Sequence, residues 1–184
     1  MRPFLGTMVP GAAVVVLLAA CTAGATVDDD LYAYLSPREH HNVTEVNFDK
    51  VIPGDWTKMV IVCAGATKDE LDNALGFEWK DAPSLRPSSN FISMVVFAGN
   101  NDVESFDNVG SDPFIEGEWY FTPCTSDILG DPDTAEPLSI PRAHSKVLLT
   151  LHKSDSPHFW YVSKQEFQRL RSESKGIHKS NTSR

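Results

Sequence analysis

Hydrophobic positions change their period several times along this chain, and each change predicts an element. Met59-Val60-Ile61-Val62-Cys63 is a continuous apolar run of strand length, which predicts a strand buried on both faces. Ala64-Gly65 ends it. Thr67-Lys68-Asp69-Glu70 then forms a capping-box pattern, in which the Thr67 hydroxyl accepts the Glu70 amide and the Glu70 carboxylate reaches back. Ala66 and Leu71 staple that start. Leu71, Ala74 and Leu75 fall at helical spacing, and Gly76 supplies a left-handed stop. Phe91 to Phe97 predicts a second buried strand. Gly99-Asn100-Asn101-Asp102 is a turn, after which Val103 to Phe106 returns as a hairpin partner. Lys146 to His152 alternates, with Val147, Leu149 and Leu151 on one face. Ser154 to Pro157 turns the chain into Phe159-Trp160-Tyr161-Val162. Ser163 and Glu166 form a second capping-box pattern with Val162 and Phe167 as its staple, and that helix is predicted to end near Arg171.

Between these elements the pattern is weaker. Asp28-Asp29-Asp30 caps a short helix over Leu31–Leu35, which Pro37 stops. Val43 to Phe48 reads as an edge strand. Phe77 to Ser89 reads as a strand end and a loop, and Phe114 to Phe121 as a strand with a bulge at Gly117. Thr122 to Arg142 holds four prolines and several acids and is expected to be a long loop. Ser172 to Arg184 is polar and is expected to be disordered. There is no internal repeat. The expected fold is α+β: a mainly antiparallel sheet of about five strands, with the Thr67–Leu75 and Ser163–Arg171 helices packed on one face.

The first residues have a different character. Arg2 is the only charge before Asp28, and an apolar run from Gly11 to Ala20 follows it. That run is too short to span a hydrocarbon core, which needs about 20 residues, and it fits the centre of a secretory signal peptide. It closes on Leu18-Ala19-Ala20-Cys21, which resembles the lipobox of bacterial lipoproteins. The resemblance implies a diacylglyceryl group on the Cys21 thiol and cleavage between Ala20 and Cys21. Ala23-Gly24-Ala25 also looks like an ordinary signal-peptidase site, which would release a soluble protein beginning at Thr26. An uncleaved N-terminal anchor is the third reading. The organisation expected with the lipobox is a leader over 1–20, a lipidated start and tether over 21–42, with Thr22–Asp30 as its flexible part, one domain over 43–171 and a tail over 172–184.

Composition narrows the partners. The 184 residues carry 16 basic and 25 acidic side chains, a net charge of −9 that becomes one unit more negative without Arg2. Such a surface argues against nucleic acid or anionic lipid as a partner. Three cysteines are an odd number for an exported chain. With lipid on Cys21, Cys63 and Cys124 are left as a pair. They are either a disulfide, which an oxidising compartment permits, or two buried free thiols. Closing a loop of about 62 residues would stabilise the fold by roughly 4 kcal/mol on the chain-entropy model.

Candidate chemistry is sparse. His152 and His158 flank the Ser154–Pro157 turn and, with Asp155, are weak candidates for a zinc or copper site; no third firm ligand follows by spacing. His40-His41 reads as a solvated loop pair, since neighbours on a strand point apart. Asp107, Asp112, Asp131, Asp133 and Glu136 lie in expected loops. Asp107 to Asp112 lacks the alternating oxygen spacing of a calcium loop because Val109 interrupts it. The chain has no G-x-S-x-G pattern and no glycine-rich phosphate loop, and no cofactor is expected. Four tryptophans, Trp56, Trp79, Trp119 and Trp160, each adjoin a strand; two exposed together would mark a ligand or partner surface.

Trp56, the Met59–Val62 strand, Leu75-Gly76-Phe77 with Trp79, and the strand ending in Val96-Phe97 resemble a group of small uncharacterised bacterial lipoproteins. The likeness spans about 45 residues of core-forming positions and implies a shared core and no activity. The expected function is a lipid-anchored, non-enzymatic binding or scaffolding module on the extracytoplasmic face of the cell membrane. A secreted binding or inhibitor-like domain and a small envelope hydrolase, with its site in the acidic Thr122–Arg142 loop, are the alternatives.

Overall fold

Two strands with apolar side chains on both faces need cover on both sides, and this requirement organises the molecule. The computed structural model describes residues 27–85, 93–109, 121–124, 136–153 and 159–181. Strands β2 (Lys58–Cys63) and β3 (Ser93–Ala98) pair antiparallel from Lys58 opposite Ala98 to Cys63 opposite Ser93. They are flanked by β4 (Val103–Val109) on one side and β6 (Leu138–Pro141) on the other, giving the sheet order β4-β3-β2-β6. Apart from Lys58, every side chain of β2 and β3 is buried.

One face of this sheet is covered by helix α3 (Lys68–Leu75). Val60, Val62, Met94, Val96 and Ala98 pack there with Ala66, Leu71, Leu75 and Leu85. The other face is covered by a second sheet, order β1-β7-β8-β5, built from β1 (Val43–Asn47), β7 (Lys146–His152), β8 (Phe159–Val162) and the short β5 (Phe121–Thr122). Val46, Phe121, Val147, Leu149, Trp160 and Val162 from this sheet share one core with Met59, Ile61, Val95, Phe97, Leu138 and Ile140 from the first. All the pairings are antiparallel except β5 with β8. Helix α1 (Val27–Leu35) adds Val27, Leu31 and Leu35 to the same core. The one-turn helix α2 (Phe48–Val51) adds Phe48, and helix α4 (Lys164–Asn181) adds Phe167 and Leu170.

The α+β class therefore stands, with corrections. There are two four-stranded sheets among the described residues, where one sheet of about five strands is expected. The helices do not share a face: α3 caps the outside of one sheet, while α4 inserts Phe167 and Leu170 between the sheets. The expected loop before Arg142 contains β6, whose Leu138 and Ile140 alternate inward. Residues 27–30, expected in the tether, begin α1, because Val27, Leu31 and Leu35 at a spacing of four form a buried stripe. The folded unit thus starts before residue 43. Helix α4 continues ten residues past Arg171, through most of the expected disordered tail. Side-chain bonds hold its middle to β6: Arg171 donates to Glu136 O at 2.7 Å and Ser174 to Ser139 O at 2.8 Å. The expected Phe114–Tyr120 part of a strand and the Ser154–Pro157 turn lie outside the described residues.

Candidate functional site

The two sheets close differently at their edges, and two adjoining clefts follow from that difference. On β6, Arg142 N–H donates to Thr57 O at 2.8 Å, which sets the alternation of an antiparallel ladder. On that alternation Leu138 and Ile140 turn their backbone toward β2, while Pro137, Ser139 and Pro141 turn theirs outward. Two of the three outward positions are prolines and carry no N–H. The carbonyl of the third, Ser139, accepts the Ser174 hydroxyl. This edge is closed to further strand pairing by its own sequence and by α4.

Closing the edge with a helix leaves a groove. Its floor is the outer face of β6, with Ser139 and Pro141, and its walls are α3 and α4. A cleft of about 270 Å³ at one end takes in Glu70, Asn73, Glu136, Arg171 and Lys175. A neighbouring cleft of about 420 Å³ shares Asn73, Ala74, Ser139 and Ser174 with it and adds Thr57, Lys58 and Asn100. Arg171 is mostly buried. It lies over the Phe167 ring at 5.4 Å, pairs with the Glu136 carboxylate at 3.5 Å, and keeps a buried Nε without a partner. Lys58 donates to the Leu75 and Ala74 carbonyls, so its ammonium occupies the negative end of the α3 dipole, and burial pushes its pKa down.

The groove is therefore polar, with amides, hydroxyls and cations on its walls and carboxylates at one end. Its chemistry suits holding a polar ligand by hydrogen bonds. The linings of these two clefts include no histidine or cysteine, the usual partners of a nucleophile–base pair.

The residues singled out from sequence lie elsewhere. Cys63 and Cys124 are joined by a disulfide with a Cα–Cα separation of 5.8 Å, buried in the shared core and linking the end of β2 to the segment after β5. His152 stacks on Phe159 with ring centroids 4.7 Å apart, while His158 and Asp155 lie outside the described residues. The His40 and His41 rings are 3.9 Å apart in an exposed bend. No group of three histidines, cysteines or carboxylates is placed to hold a metal ion among the described residues. Asp107 sits in β4 and Glu136 pairs with Arg171, while Asp112, Asp131 and Asp133 are outside the described residues, as is Cys21. Trp56 and Trp160 are core. Trp79 is partly buried and meets the exposed Phe106 edge-on at 5.1 Å. No helix among the described residues is long and apolar enough to cross a membrane.

No family model, curated protein or solved structure matches this chain. Nothing local marks Lys58 on β2, Ser139 on β6, or Arg171 and Ser174 on a polar helix as site residues. One signal was present: Pro137-Leu138-Ser139-Ile140-Pro141 alternates with period two, the pattern of a proline-protected edge strand.

Proposed function

We propose that this chain is an exported binding or scaffolding module, held on the extracytoplasmic face of the cell membrane by lipid on Cys21, with the α3–β6–α4 groove as its ligand site. The observation that carries the reading is the division of the cysteines. Cys63 and Cys124 are consumed in a buried disulfide, which belongs to an oxidising compartment. Cys21, the remaining cysteine, stands at the end of Leu18-Ala19-Ala20. Only residues 22–26 separate it in sequence from the buried Val27, and five residues reach at most about 18 Å, so lipid on Cys21 would keep the domain close to the bilayer. Two or three acyl chains anchor stably, at about 0.8 kcal/mol per buried methylene. Metabolic labelling with a clickable fatty acid tests the anchor: labelled wild type and unlabelled Cys21→Ala are expected.

A second reading is a secreted domain cleaved after Ala25. It is favoured by the position of α1: such a cut leaves Thr26 alone ahead of the first buried residue of the fold. Intact mass spectrometry of the mature chain separates the two. A species beginning at Thr26 without added lipid overturns the anchored form and leaves the exported binding domain.

A further inference from the structure

The β1 edge of the other sheet carries a modification signal. Asn42-Val43-Thr44 has the pattern Asn-x-Thr with a residue other than proline in the middle, the acceptor pattern for N-linked glycosylation. Asn42 lies in an exposed bend immediately before β1. Its backbone carbonyl accepts Leu151 N–H at 2.9 Å, while no described residue takes up its side-chain amide. Val43 is 51% exposed, so space for a bulky substituent continues past Asn42. A second pattern, Asn-x-Ser, begins at Asn181, the last residue of α4.

We propose that Asn42 is an N-glycan acceptor. The inference rests on the exported reading, in either its anchored or its secreted form. In the transfer, Nδ2 of Asn42 forms a bond to the anomeric carbon of a polyprenyl-diphosphate-linked oligosaccharide. The anomeric carbon–oxygen bond to the diphosphate breaks, the polyprenyl diphosphate departs with the electron pair, and one amide proton passes to a base of the transferase. No oxidant or reductant is involved.

The order of folding gives this reaction time. Thr44 is half-buried in the finished sheet opposite Leu149, so the acceptor pattern must be read before β1 pairs with β7. Val43 pairs with Thr150, more than a hundred residues later in the chain. At 5–20 residues per second of synthesis, β1 stays unpaired for roughly 5–20 s after it emerges. The finished fold then leaves Asn42 outward, where the glycan stands beside an edge that lacks the prolines of β6. Among the described residues no strand pairs with the outward side of β1, where the Tyr34 hydroxyl donates to Glu45 O at 3.5 Å, and a glycan just before its first residue obstructs the approach of another chain.

The test is glycopeptide mass spectrometry of the full chain from its native cells, with and without enzymatic release of N-glycans. Wild type, Asn42→Gln, Thr44→Ala and Thr44→Ser are compared, each also carrying Asn181→Gln. Oligosaccharide on the peptide containing position 42 is expected in wild type and in Thr44→Ser, falling to background in Asn42→Gln and Thr44→Ala. Exported wild-type chain with a bare Asn42 overturns the proposal even if the variants fail to fold. Fatty-acid labelling read on the same samples keeps the outcomes apart: a glycosylated, unlabelled chain overturns the Cys21 anchor and sustains the glycan, and a labelled chain with bare Asn42 does the reverse.

Discussion

Helices α3 and α4 begin with the same four-residue pattern, and the fold uses it in two ways. At α3 the box closes on itself. Thr67 Oγ1 accepts Glu70 N–H at 3.2 Å, and the Glu70 carboxylate accepts Thr67 N–H at 2.7 Å and the Thr67 hydroxyl at 2.8 Å. At α4 only half of the box forms: Ser163 Oγ accepts Glu166 N–H at 3.3 Å. The Glu166 carboxylate leaves the helix end and accepts Leu148 N–H on β7 at 2.9 Å. Arg169 pairs with that carboxylate at 2.5 Å and donates to Lys146 O at 3.2 Å.

Lys146 and Leu148 present these groups on the side of β7 where β8 would lie, but β8 ends at Val162, opposite Leu149. Glu166 and Arg169 together therefore take the place of the missing strand. A box on an exposed helix satisfies its own orphan donors. A box beside an unfinished ladder is recruited to the ladder, because a partly buried strand N–H costs more to leave unpaired than a solvated helix-end N–H.

Variants test this comparison directly. The largest effect is expected from Glu166→Ala, about 2 kcal/mol in urea unfolding, since Glu166 is only 4% exposed, the change strands Leu148 N–H, and it leaves Arg169 with Glu173 as its carboxylate partner. A loss below about 1 kcal/mol would mean that Glu166 is an ordinary cap. Thr67→Ala should cost about 1 kcal/mol, the usual value of an N-cap hydroxyl. Double-mutant cycles separate the boxes further. Thr67 with Glu70, each to Ala, should couple by about 0.5 kcal/mol through their direct contact. Ser163 with Glu166 should couple by about zero, because Ser163 meets only the Glu166 backbone.

The smallest effect is one of pH. Hydrogen bonds from the Thr67 backbone N–H, then from its hydroxyl, hold the Glu70 pKa below the usual carboxylate range. Its contribution is present above the unfolded-state value and is lost as pH falls through the lowered folded value. Glu70→Gln, which keeps the box geometry, should differ from wild type at neutral pH by a few tenths of a kcal/mol. That difference should vanish in acid. A difference that grew on acidification would show that the carboxylate charge is not what the box holds.

Local patterns made much of the first sheet legible. The β2 and β3 runs, the complete α3 box with its Gly76 stop at φ 79°, and the turn into β4 all lie where the hydrophobic pattern puts them. Each depends on residues within a few positions of one another. The groove was not legible. Its floor is a strand hidden among prolines, and its far wall is a helix whose outer half reads as a polar tail. Arg171 and Ser174 gain their roles only by reaching Glu136 and Ser139, 35 residues away in the chain.

The sequence by itself determined the apolar doubly buried strands, the starts of α3 and α4, the spare cysteine at position 21 and the acidic charge. All of these are properties of near neighbours or of composition. Only the tertiary structure decided that there would be two sheets, that α4 would close the β6 edge with Phe167 and Leu170 in the core between them, and that Glu166 would serve β7 instead of its own helix. The reason is that an unpaired backbone group or an uncovered apolar face is satisfied by whatever the folded chain brings close, and sequence distance places no limit on that choice.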